Sequence, residues 1–193
     1  IGLVGSEMCI RDSRIATLEF YITMAKKSKH SIEEKIEDWC KRQLSAIRYY
    51  TKTEEINPEI GNALRKAPSK NGGDGRNFPD IQCFIETPQM ERIPVMIEVK
   101  GSKGYLIKSD DKGEILNTNA KGEPLYSNIA GYAVNGAVHY AKAILDYTDS
   151  YDKAIAIGVN GYYLTDGTIK YEIGAYYLSK NNLFVPKQID EYT

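Results

Sequence analysis

The chain has 193 residues, enough for one domain with its own hydrophobic core and short for two. Its 25 Lys and Arg against 26 Asp and Glu leave a formal net charge of -1, so the field of the whole molecule favours neither sign of partner and any nucleic-acid surface must be local. Three widely spaced cysteines without a CxxC exclude a disulfide framework or zinc ribbon and fit a reducing, cytoplasmic setting, and no apolar run reaches the length of about eighteen residues that a membrane helix needs.

Residues 1–23 open on a short apolar piece that lacks a basic n-region and an export-signal core. "VGSEMCIRDS" within them resembles a translated sequencing-adapter artefact, and Met24 with the following "AKKSKH" resembles a natural start, so this leader is expected to be non-native or a disordered arm. The basic "KKSKH" at 26–30 reads as a disordered start that brushes phosphates at most. From Ser31, residues Ile32, Ile36, Trp39, Cys40, Leu44 and Ile47 recur at spacings of three and four, which predicts an amphipathic helix opened by a Ser31–Glu34 capping box. Glu33 and Glu37 fall on the flank of that stripe. Asn57 followed by Pro58 predicts a second helix through Leu64, a side-chain cap with proline at the first helical position. The loop "APSKNGGDGRNFPD" comes next.

"IQCFIE" (81–86) and "PVMIEVKG" (94–101), separated by "TPQMER", predict an antiparallel hairpin. Residues 102–128 are turn-rich and predict a projecting hairpin or flexible excursion over the sheet. Residues 129–146 regain helical period, with Ala133, Val134, Ala137, Ala141, Ile144 and Leu145 on one side. Asn135, His139, Lys142 and Asp146 fall on the other, which reads as a solvated face. "KAIAIGVNGYY" and "IKYEIGAYYLS" predict two further strands joined at "TDG". The element order predicts an α/β fold, a central mixed sheet flanked by helices. One domain is expected over 24–185, with 186–193 as a tail.

Strand side chains alternate, so Glu98 and Lys100 share a face and Val99 points to the other. In a hairpin, Asp80 can lie beside Glu98 despite the distance in sequence. Converging carboxylates repel, and such a pair either binds a proton or a hard metal ion. "FPD" at 78–80 and "IEVK" at 97–100 resemble the PD-(D/E)XK nuclease signature, and Gly75-Arg76 resembles the G-R run that leads into its Asp. "AVNGAVHYAKAIL" and "AIGVNGYY" resemble the amino-terminal endonuclease domain of type I and type IIG restriction enzymes.

The resemblance implies a restriction-endonuclease-like core and Mg²⁺-dependent hydrolysis of phosphodiesters in DNA, with Mn²⁺ able to substitute. It implies Asp80 and Glu98 as metal ligands, the Val99 main-chain carbonyl as a further one, and Glu33 or Glu37 as an outer contact. Lys100 would orient the attacking water and offset charge on the phosphoryl oxygens. The family's Gln-x-x-x-Tyr pair is replaced here by Asn135, His139 and Tyr140, which would position substrate or Lys100. The implied partner is DNA, double-stranded, with a dimer left open for double-strand cleavage. Methyltransferase, translocase or target-recognition segments are expected elsewhere in a longer protein.

Each feature has a plainer reading beside it. Asp80 after Pro79 is also ordinary turn chemistry, and Glu98 with Lys100 could be a surface ion pair worth at most about 1 kcal/mol. Two histidines, His30 and His139, are too few for a histidine-metal nuclease, and no Walker loop is present to drive an ATP motor. The 15 tyrosines read as sheet packing before they read as a base-stacking platform. A non-catalytic binding module of the same fold and a stand-alone repair or recombination nuclease are the alternative functions.

Overall fold

The computed structural model describes residues 31–74 and 77–190. The leader, the basic run 26–30, Gly75-Arg76 and the last three residues lie outside the described residues. Six strands form one mixed sheet in the order β1 (Tyr49–Thr51), β2 (Ile81–Glu86), β3 (Arg92–Lys100), β4 (Lys153–Tyr163), β5 (Ile169–Ser179) and β6 (Lys187–Gln188). Only the central pair, β3 with β4, runs parallel. A parallel pair needs a crossover, and the long helical segment between the two strands provides it. This is the α/β architecture that the element order predicts.

Helix α1 (Ile32–Gln43) covers one face of the sheet, burying Ile36 and Cys40 against Ile81, Val95, Ile97, Val99 and Val159. Trp39 stacks on Tyr171 of β5 with centroids 4.5 Å apart. The helix ends before Ile47, which is exposed and does not continue the apolar stripe as its spacing suggests. Helix α2 (Pro58–Lys66) starts as predicted: the Asn57 side-chain oxygen accepts from the Ile60 N–H at 2.8 Å, and proline occupies the first turn. Pro68, just beyond, disfavours helical geometry at Ala67.

The helix predicted over 129–146 is two helices, α3 (Tyr126–Gly131) and α4 (Ala133–Tyr147), with Tyr132 extended between them at φ -118 and ψ 139. The cause is tertiary. The first N–H groups of α4, those of Ala133 and Val134, donate to the carbonyls of Tyr105 and Leu106 at 3.0 and 2.8 Å. Residues 102–125 thereby supply the acceptors that a continuous helix would have supplied itself. The segment does not project: bridges Ser109↔Ile115 and Thr118↔Pro124 close its turns, and Leu106, Ile107 and Ile115 pack on the α4 cluster.

Helix α4 lies on the opposite sheet face from α1, over Met96, Ala154, Ala156 and Leu178. Its first turn comes close because Gly158 of β4 carries no side chain. A Cβ there would stand 2.4 Å from the Val134 nitrogen, and one at Gly174, its partner on β5, 2.8 Å from Val134 Cγ2. Strand β1 and the short β6, the latter inside the expected tail, carry too few alternating residues to be read from sequence, and pairing creates both. Cys40 and Cys83 are free and buried. Among the described residues no helix is long and apolar enough to cross a membrane.

Candidate active site

The sheet registers assemble the site. Thr51 pairs with Ile81, Ile81 with Ile97, and Glu98 with Gly158. Continued by one residue, the same registers put Lys52, Asp80, Glu98, Gly158 and Gly174 on one line across the sheet. Two carboxylates therefore stand side by side at the point where β2 begins and β3 ends. The Asp80 Oδ2 accepts from the Val99 N–H at 2.8 Å, which ties the loop before β2 to the last turn of the ladder. That contact fixes Asp80 one position from Glu98 without a side-chain partner of its own on that oxygen.

Glu98 is completely buried, packed against Gly136 of α4. Its Oε1 accepts two ammonium groups, Lys70 at 2.6 Å and Lys100 at 3.0 Å. Its Oε2 is buried and has no hydrogen-bond partner. Burial first, then the neighbouring Asp80, raises the Glu98 carboxyl above the usual carboxylate range, and Lys70 and Lys100 pull it back. On the Asp80 side, Lys52 reaches Oδ1 at 3.1 Å and the Glu37 Oε2 at 3.6 Å. Partial burial works against the Lys52 charge, but Asp80, then Glu37 and Glu98, hold its ammonium above the ordinary lysine range.

The two candidate outer acids take different places. Glu37, largely shielded, shares Lys52 with Asp80 and also pairs with Lys41 at 2.8 Å. Glu33 is exposed and abuts Gly101, where a Cβ would meet its Cγ at 2.8 Å and its nitrogen at 3.0 Å. Cys40 on the same helix is buried, and burial, then Glu37 and Asp80, push its thiol up to about 12.

The three residues on α4 do not converge on Lys100 as a group. Asn135 is not on a solvated face but fully buried: its Oδ1 accepts from the Lys108 N–H at 2.8 Å, and its Nδ2 donates to Lys108 O at 3.0 Å and to Asn117 Oδ1 at 2.8 Å. It clamps the 102–125 segment, because a buried amide must satisfy both ends and that segment offers free backbone. His139 is half-buried, and its Nε2 donates to Pro68 O at 2.9 Å. Tyr140 is buried, donates to Phe78 O at 3.3 Å, and its phenol is raised by burial first and then by Glu98 and Asp80. Of the three, Tyr140 alone lies beside the carboxylates.

Two site lysines, Lys52 and Lys70, carry no periodic signal in the sequence. They come from a turn and a loop, where no periodicity marks direction. The one usable hint for Lys70 was Asn77 in the same loop. Its Nδ2 donates to the carbonyls of Leu64, Ala67 and Pro68 at 3.1, 3.2 and 2.9 Å, and its Oδ1 accepts from the Lys70 N–H at 3.1 Å.

Among the described residues no three His, Cys, Asp or Glu side chains gather as a metal-ligand cluster. The site offers two carboxylates, one with an orphaned buried oxygen, and cationic side chains drawn onto both. That donor set fits a hard cation such as Mg²⁺, which takes one or two carboxylates and keeps its remaining places for water and substrate oxygens.

No family model matches the chain, and no solved structure matches it. Over 52 residues the chain is 50% identical to the type II restriction enzyme and methyltransferase RM.BcgI of Heyndrickxia coagulans. The matched stretch covers 27% of this chain and 7% of that protein, so the chain spans a small part of its relative's length.

Proposed function

We propose that the chain is a metal-dependent DNA endonuclease domain, the cleavage module of a restriction-modification enzyme, and that it hydrolyses phosphodiester bonds. The observation that carries this reading is the meeting of Asp80, Glu98 and Lys100 at one spot, with a buried Glu98 oxygen left unpartnered. A carboxylate oxygen without a donor is costly in a core, and a site that binds a cation is a reason to keep one. The segment shared with a restriction enzyme and methyltransferase supports the same setting.

Asp80 and Glu98 would hold Mg²⁺ or Mn²⁺, with the Val99 carbonyl as a further oxygen and Glu37 as the outer acid. When bound, the ion neutralises the scissile phosphate and lowers the pKa of a water. Lys100, held against Glu98 by its own strand, orients that water and offsets charge growing on the phosphoryl oxygens. Asp80, anchored on the Val99 N–H, keeps the carboxylate pair in register. Tyr140, buried like Glu98, would line the inner wall of the site. The partner is double-stranded DNA, and target recognition and methylation belong to other parts of a longer protein.

A second reading, a non-catalytic module, draws on Lys52, Lys70 and Lys100, which already balance the two acids as a structural charge cluster. Plasmid DNA incubated with the chain and Mg²⁺ or Mn²⁺ separates the two. Nicking or linearisation that disappears in Asp80→Asn and Lys100→Met, both still folded, is the expected result. Cleavage that persists in both variants refutes the endonuclease assignment.

A further inference from the structure

Lys70 stands out among the charged groups around the site. Its ammonium sits on the same Glu98 oxygen as Lys100, and closer, at 2.6 against 3.0 Å. A carboxylate oxygen has lone pairs for two donors, but two ammonium groups on the same oxygen repel each other while Oε2 has no partner. The arrangement is therefore oversupplied with positive charge on one oxygen and undersupplied on the other.

The loop that carries Lys70 is built to hold it there. Asn77 ties the Lys70 N–H and three preceding carbonyls together, a Ser69 to Gly73 turn closes behind it, and His139 on α4 donates to Pro68 O. The Lys70 side chain, about a quarter exposed, lies 5.9 Å from the centroid of the Tyr140 ring, so it is bounded by an aromatic wall on one side and by solvent on another. Lys52 lacks this framing: it leaves the turn after β1 with half its side chain in water.

We propose that Lys70 is a second phosphate-binding lysine: it guards Glu98 until a divalent ion takes that carboxylate, then turns its ammonium onto a non-bridging oxygen of the bound DNA phosphodiester. The inference rests on the endonuclease reading. It couples cation binding to phosphate binding, since the ion that displaces Lys70 from Glu98 also frees the donor the phosphate requires. Lys100 lies on the rigid strand and stays with the reacting centre. Lys70 has a loop's freedom of side-chain direction on a fixed backbone.

The test is the anisotropy of a labelled DNA duplex titrated with the full chain, in Ca²⁺ in place of Mg²⁺ to hold the duplex uncut, and in EDTA. Wild type, Lys70→Met, Lys70→Arg and Asp80→Asn are compared, with Lys70→Gln replacing the Met variant should circular dichroism find it unfolded. In Ca²⁺, Lys70→Met is expected to bind about tenfold or more weakly than wild type, the worth of one charge-assisted hydrogen bond, and Lys70→Arg to recover part of the loss. In EDTA the two are expected to bind alike. Lys70→Met within about twofold of wild type in Ca²⁺, an equal loss in EDTA, or a wild type whose binding ignores Ca²⁺ overturns the assignment. Plasmid cleavage keeps the two readings apart. Should Asp80→Asn abolish cutting while Lys70→Met binds and cuts as wild type, Lys70 loses its role and the endonuclease reading stands; should Asp80→Asn cut as wild type, the endonuclease reading falls.

Discussion

The two faces of β3 bury different things. Val95, Ile97 and Val99 meet α1 and its apolar neighbours, and among the described residues no buried charged side chain belongs to that cluster. Met96, Glu98 and Lys100 face α4, where a completely buried carboxylate sits two residues along the strand from a completely buried methionine. One face contributes stability by removing apolar area from water. The other surrenders some of it, because a buried acid with one bare oxygen is tolerated only where charge is wanted. A single strand thus presents apolar side chains to one helix and a charged cluster to the other by side-chain alternation alone.

Substitutions on neighbouring residues sharpen that contrast. Ile97→Ala is expected to lower the unfolding free energy by about 2–5 kcal/mol in urea titrations, through lost burial and the cavity left between β3 and α1. Glu98→Gln, the next residue, is expected to cost less, about 1–2 kcal/mol, because the amide keeps the side-chain volume and the partly exposed Lys70 and Lys100 can turn toward water. A loss in Glu98→Gln as large as in Ile97→Ala would make the acid a structural element and erase the difference between the faces. Gly158→Ala tests how closely α4 must approach the acid's face. Its new methyl would meet the Val134 backbone at 2.4 Å, and the resulting shift of α4 is expected to cost about 1–3 kcal/mol in the same assay.

The smallest effect is a pH dependence. Burial holds the His139 imidazole below its ordinary value of 6.5, the Pro68 carbonyl opposes this, and Lys142 and Lys70 add to the lowering. A folded-state pKa below the unfolded one means that the unfolded chain takes up its proton first as pH falls. The contribution of neutral His139 is then complete above about 6.5 and shrinks below it. Against His139→Gln, which keeps a donor for Pro68 O, the stability of wild type should fall by a fraction of a kcal/mol as pH drops from about 7 to about 5. A difference that stays flat over that range would place the imidazole in a more open setting than the structure gives it.

Much of this was legible in the sequence where one residue type repeats at one period. Strands β2, β4 and β5, the β2–β3 hairpin and the Asn57 cap were readable because alternation and side-chain capping are local properties. The juxtaposition of Asp80 with Glu98 follows from the hairpin register, so two of the site's charges pair on the sequence pattern alone. What was not readable depends on partners distant in sequence. The break at Tyr132 exists because Tyr105 and Leu106 offer carbonyls to α4, and Asn135 is buried because Lys108 and Asn117 satisfy its amide. Lys70 reaches Glu98 through the Asn77 knot, and no spacing rule in a loop announces such a contact.

The most direct test of the proposed cation site is a crystal of the chain soaked in Mn²⁺ and measured for anomalous scattering. The account predicts one strong peak shared by the Asp80 and Glu98 carboxylates, lost in Asp80→Asn, with the Lys70 ammonium moved off Glu98. A peak elsewhere, or none at saturating Mn²⁺ with Lys70 and Lys100 still on Glu98, would contradict it.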